Sequence, residues 1–139
     1  MKDNCQVRNL LSESLLKITR QREVILTKIL ELDRPFNVND LRSVLEKRFD
    51  IVTIYRILEA FSKKNIIREI SSLDGVKYFE LSCVHHPIHP HFICENCHGI
   101  YCLGAIDYKD SLKLSKYAES HNISSISISF TGVCDRCKI

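Results

Sequence analysis

Apolar positions recur at helical spacing along the first part of the chain. Ile25, Ile29 and Leu32 follow Thr19, whose hydroxyl suits a helix N-cap, and Pro35 closes that segment. Asn37 then offers a capping oxygen, with Asp40 three residues on as an approximate capping box, and Leu41, Val44 and Leu45 carry the next helix. The clearest stripe is Ile54, Ile57, Leu58 and Phe61, at i, i+3, i+4 and i+7. Two β-prone runs follow, Ile66 to Ile70 and Lys77 to Leu81, with Asp74-Gly75 between them as a hairpin signal. Three helices and then a two-stranded hairpin is the order of a winged helix-turn-helix.

The pattern changes beyond that point. Ser82 to Pro90 contains Pro87 and Pro90 and suits a hinge. His91 to Cys94 and Ile100 to Leu103 look like strands. Asp107 to His121 places Leu114, Tyr117, Ala118 and His121 at helical spacing, and Ile126, Ile128 and Phe130 alternate with serines as a half-buried strand would. The expected fold class is α+β. A winged-helix domain spans 1–81, a hinge 82–90, and a small α/β domain 91–139.

Composition narrows the chemistry. The chain has 139 residues, 45% hydrophobic and 27% charged, enough for two small lobes that are each marginal without a metal or a partner subunit. No apolar run reaches the ~18–20 residues needed to span a bilayer. The start, Met1-Lys2-Asp3-Asn4-Cys5, lacks the apolar core of a secretion signal, so a cytoplasmic protein without a membrane partner is expected. Seven cysteines in that compartment point to metal rather than to disulfides. Residues 1–81 hold 15 basic and 12 acidic residues, whereas 82–139 hold 5 of each. The positive excess thus sits in the helical half, a faint pointer to nucleic acid.

Cys94-x-x-Cys97 and Cys134-x-x-Cys137 are separated by 36 residues. Each pair presents two thiolates from one tight turn, and two such turns build a closed, tetrahedral, structural zinc site. A thioredoxin-like redox motif or unrelated thiols are the alternatives. On the helix from Thr53 to Lys63, Tyr55, Arg56, Glu59 and Lys63 lie opposite the apolar stripe. Such a face suits a recognition helix in the major groove, where Arg pairs with guanine and Tyr meets a thymine methyl or a phosphate. By charge pattern alone a solvated helix face is the favoured reading, and the hairpin that follows reverses that order.

Five segments together resemble the ferric uptake regulator (Fur) superfamily. They are Lys17-Ile18-Thr19-Arg20-Gln21-Arg22, Val52-Thr53-Ile54-Tyr55-Arg56-Ile57-Leu58, Lys77-Tyr78-Phe79-Glu80-Leu81, His89-Pro90-His91-Phe92-Ile93-Cys94-Glu95-Asn96-Cys97 and Gly132-Val133-Cys134-Asp135-Arg136-Cys137. The resemblance implies a winged-helix DNA-binding domain, a hinge and a C-terminal dimerisation domain. It implies a homodimeric, metal-dependent transcriptional repressor of a palindromic double-stranded operator, controlling metal-uptake genes. By position, Tyr55 and Arg56 resemble the family's major-groove contacts, Lys17 its minor-groove contact, and Arg22 its T-x-x-R arginine.

The resemblance also implies a second, regulatory divalent metal. His89 and His91 match the sensing histidines, and Cys83 lies where the zinc uptake regulator (Zur) branch adds a hinge cysteine. Glu69 falls where that branch offers an acidic ligand, with Glu80 as the alternative. Pro35 stands where iron and peroxide sensors usually supply a histidine. A set of one thiolate, two imidazoles and one carboxylate favours Zn(II) over Fe(II) or Mn(II). An iron, other-metal or peroxide-responsive regulator of the same superfamily is the alternative. The positions of a further site some members carry are Ile88, Pro90, Lys109 and Ile126, which are poor ligands, so two metals per subunit are expected. Cys102 stands where many relatives have an acidic residue; it and Cys5 are read as ordinary thiols, and His85, His86, His98 and His121 as surface or packing residues. The chain lacks H-E-x-x-H and a His-x-Glu paired with Pro-Cys-x-x-Cys, so neither an enzyme nor a small organic substrate is expected.

Overall fold

The computed structural model describes residues 6–70, 75–82, 88–123 and 126–138. The chain divides into two compact units, Met1–His86 and Pro87–Ile139. Cys5, Cys83, His85 and His86, and the Asp74 of the expected turn, lie outside the described residues.

The first unit is built from helices α1 (Val7–Glu13), α2 (Arg20–Leu32), α3 (Val38–Val44) and α4 (Ile51–Lys63), then strands β1 (Ile67–Ile70) and β2 (Tyr78–Leu81). The expected caps are present. Thr19 Oγ1 accepts from the Arg22 N–H at 3.2 Å. Asn37 and Asp40 form a reciprocal capping box, with bonds of 2.7 Å and 3.1 Å. Each satisfies helix-end donors that would otherwise lack partners. The four stripe residues Ile54, Ile57, Leu58 and Phe61 are all buried, against Ile25, Leu26, Ile29, Leu41 and Leu45 of the neighbouring helical segments. Helix α1 was not anticipated; its Leu11 is fully buried, and Val7 and Leu10 pack on the same core.

Strands β1 and β2 pair antiparallel, Ile67 with Leu81 through Ile70 with Tyr78. Gly75, between them, has φ +73°, a left-handed conformation that glycine adopts without steric cost. Phe36 bridges Phe79 by mutual backbone hydrogen bonds of 2.9 Å and 2.8 Å, which ties the hairpin to the segment between α2 and α3. The result is a helix-turn-helix followed by a wing.

The second unit has a three-stranded sheet in the order β4-β3-β5, from β3 (His91–Cys94), β4 (Ile100–Cys102) and β5 (Ser129–Gly132). β4 runs antiparallel and β5 parallel to the central β3. Between β4 and β5 lie α5 (Tyr108–Ser115) and a 3-10 turn over Lys116–Ala118, a shorter α-helix than the spacing predicted. The last strand begins at Ser129, later than the alternation from Ile126 suggested. Buried residues here are few among those described: Ile93, Cys94, Cys134 and the polar His91. Leu112, Tyr117, Phe130 and Val133 are exposed. Mixed α+β architecture, winged helix first, is therefore observed as expected.

Candidate metal centres and nucleic-acid interface

The parallel pairing of β3 with β5 sets Cys94 beside Gly132, so both Cys-x-x-Cys turns leave the same end of the sheet. The Sγ atoms of Cys94, Cys97, Cys134 and Cys137 lie within 4.8 Å of one another. Backbone N–H groups of Asn96, Cys97 and Cys134 donate to Cys94 Sγ at 3.4, 3.5 and 3.4 Å. The Tyr101 hydroxyl donates to Cys134 Sγ at 3.6 Å.

These contacts set the thiol acidities. The N–H groups of Cys97 and then Cys134 bring Cys94 down to about 6. The Tyr101 hydroxyl lowers Cys134, and in holding that sulfur its own acidity is reduced. Cys137 is pushed up to about 12, first by the neighbouring Cys134 sulfur. Two sulfurs are readied as thiolates while a third resists ionisation beside them. A divalent cation would relieve that repulsion, and a closed four-sulfur set is a structural ligand set. The donors therefore fit the metal that the spacing called for.

A second group lies on the same sheet. His89 and His91 have ring centroids 4.5 Å apart. Cys102 pairs directly with His91 across β3 and β4. The ligand atoms of these three residues also lie within 4.8 Å of one another. Sequence reasoning left Cys102 as an ordinary thiol. The missed signal is the hairpin register: pairing about a turn centred between Asn96 and Cys97 sets residue 102 opposite residue 91.

The wing carries both acidic candidates. Glu80 is buried and pairs with Arg68 at 2.6 Å. Glu69 is exposed and pairs in register with Phe79, whereas Glu80 pairs with Arg68. The alternation of a strand puts the two carboxylates on opposite faces of the hairpin. They are thus alternatives rather than joint ligands of one site.

On α4, Tyr55, Arg56 and Lys63 are exposed while the opposite stripe is buried. Lys63 pairs with Glu59 at 3.2 Å on that outer face, a weak, solvated contact. Lys17 is exposed just before α2, and Arg22 donates from Nη1 to the Lys17 carbonyl at 2.7 Å. Arg22 thereby holds the loop that presents Lys17.

Residues 13–131 match the sequence profile of the Ferric uptake regulator family. A ferric uptake regulation protein of Staphylococcus aureus is 34% identical over 134 residues, with 93% of each chain covered. The structure of the ferric uptake regulator of Pseudomonas aeruginosa with manganese superposes with a TM-score of 0.75 at 16% identity, over 94% of this chain and 99% of that one. A zinc uptake regulator complexed with zinc and DNA superposes with a TM-score of 0.63 at 18% identity, over 94% and 89%. At such identities the two structures speak for the fold; the profile and the Staphylococcus relative carry the assignment. The chain belongs to the Ferric uptake regulator family of metal-responsive, DNA-binding regulators.

Proposed function

We propose that this protein is a transcriptional repressor that binds operator DNA as a homodimer when a regulatory metal, Zn(II), is present, and that it controls metal-uptake genes. The observation that carries the DNA reading is α4: its inner stripe is wholly buried and its outer face offers Tyr55, Arg56 and Lys63 to solvent. A helix held this way, with a wing following it, suits the major groove. Arg56 is the base-reading residue, Tyr55 and Lys63 meet thymine or backbone, and Lys17 reaches the minor groove with Arg22 bracing it.

Two metals have distinct roles in this reading. Structural zinc in the four-cysteine cage offsets the small apolar core of the second unit. The exposed apolar side chains of that unit, Leu112, Tyr117 and Phe130 among them, support a dimer interface. The regulatory site takes His89 and His91, with Cys83 as the hinge ligand that the resemblance implies. The resemblance implies an acidic ligand as well, Glu69 or, as the alternative, Glu80. A bound divalent cation supplies charge that draws these donors together. It acts only through its differential affinity for the DNA-competent arrangement.

The test is binding to DNA from the chain's own upstream region, followed by fluorescence anisotropy, with the cage filled and the second metal added or withheld. Binding should appear with the second equivalent of zinc and vanish when a mild chelator removes it. Unchanged binding after that removal would sink metal dependence, and no binding under either condition would sink the DNA reading.

A further inference from the structure

We propose that Cys102 supplies a thiolate to the His89–His91 site, making it a site for a thiophilic divalent cation. The inference rests on the reading of His89 and His91 as the sensing pair. Three observations converge on it within one sheet. Directly paired residues of an antiparallel ladder project to the same face, and Cys102 pairs with His91. His89, two positions before His91, returns to that face by the period of an extended chain, and the two rings lie 4.5 Å apart. The Nδ1 or Nε2 atoms and the Sγ atom fall within 4.8 Å of one another. Donors around a tetrahedral ion with bonds of about 2.0–2.3 Å sit about 3–4 Å apart, so modest side-chain adjustment closes the set.

Burial grades across the group. His91 is buried, His89 half-buried and Cys102 exposed at the edge strand. An ion there is held from within by imidazole and met from solvent by sulfur, which suits exchange better than the closed cage does. Cys102 takes no part in that cage, whose sulfurs are those of Cys94, Cys97, Cys134 and Cys137.

The chemistry follows from the donor types. Two neutral imidazoles and one thiolate carry a single negative charge, and the sulfur is a soft donor. Such a set prefers Zn(II) and Co(II) to Mn(II) or Mg(II). A carboxylate at residue 102 would give a harder N/O set with the opposite leaning. One residue at the end of β4 thus sets which class of metal the site accepts.

The test uses the full chain with the four-cysteine cage filled with zinc and Co(II) titrated into the second site. A sulfur-to-cobalt charge-transfer band in the near ultraviolet should grow with one equivalent. Cys102→Ser should lose the share of that band that Cys102 contributes beside Cys83, keep the cage zinc and the circular dichroism spectrum, and bind Zn(II) at least about tenfold more weakly, the smallest loss an outer-shell partner commonly causes. Cys102→Asp should restore ion binding without restoring the lost intensity and move the Zn(II)/Mn(II) preference toward manganese. Persistence of the full band in Cys102→Ser together with its loss in Cys83→Ser would assign the thiolate to Cys83 and overturn the inference, leaving the sensing reading in place. Undiminished second-site binding in both His89→Ala and His91→Ala would instead overturn the sensing reading on which it rests.

Discussion

Arg68 and Glu80 face each other across the two strands of the wing, and their Nε–Oε1 separation is 2.6 Å. The Glu80 side chain is 8% exposed and that of Arg68 20%. Removing one partner of such a pair leaves a desolvated charge behind. Arg68→Ala should therefore destabilise the first unit by about 2–3 kcal/mol, somewhat below the 3–5 kcal/mol of fully buried pairs because Arg68 keeps some solvent. Urea unfolding measures it. A change within about 0.5 kcal/mol, the size of an ordinary surface substitution, would show that the pair carries no structural weight.

Arg56 and Lys17 should fail differently. Arg56→Ala is expected to cost about 1–3 kcal/mol and to relax preference at one operator position. Lys17→Ala should weaken binding more evenly across sequences and flatten the salt dependence. Equal losses on operator and random DNA for Arg56→Ala would reduce that side chain to a phosphate contact.

Asn37→Ala removes half of the capping box at the start of α3. The expected cost is about 1 kcal/mol of stability, with DNA affinity per folded molecule unchanged. A neutral result in thermal unfolding would mean that solvent satisfies the Asp40 N–H equally well.

Removing zinc should destabilise the second unit, and so should Cys94→Ser even with zinc in excess. In the metal-free protein the thiols should titrate far apart. Cys94 lies at about 6, below its ordinary 9.0, so its contribution to stability is complete above about 9 and is lost as the pH falls through about 6. Cys137, at about 12, has the opposite sign: its contribution is complete below about 9 and is lost as the pH rises through about 12. Ultraviolet thiolate absorbance should show an early step near pH 6 that Cys94→Ser abolishes. A single step near 9 would rule out the hydrogen-bonded sulfur arrangement.

Much of this was legible in the chain. The stripe Ile54, Ile57, Leu58 and Phe61, the Thr19 cap and the Asn37–Asp40 box are local patterns, and local patterns survive folding because neighbouring turns read them directly. Cysteine spacing announced the cage because each thiol pair is held by its own turn. Pairings between distant segments were not readable. The parallel contact of β3 with β5, the Phe36–Phe79 bridge and the partnership of Cys102 with His91 depend on register. Only the last could have been counted, outward from the Cys94–Cys97 turn.

The parallel seat of β5 beside β3 also governs the order in which the protein can take shape as it is made. The first unit closes on contacts among residues that leave the ribosome together, so it can fold while synthesis continues. The second cannot, because its central strand waits for Ser129–Gly132 and its cage waits for Cys134 and Cys137. Until then β3 has one open edge and two of its sulfurs have no companions from the later turn. A stop codon shortly before Cys134 would thus release a chain with an intact winged helix and an unfinished second unit. Such a product would keep the exposed face of α4 but not the four-sulfur cage.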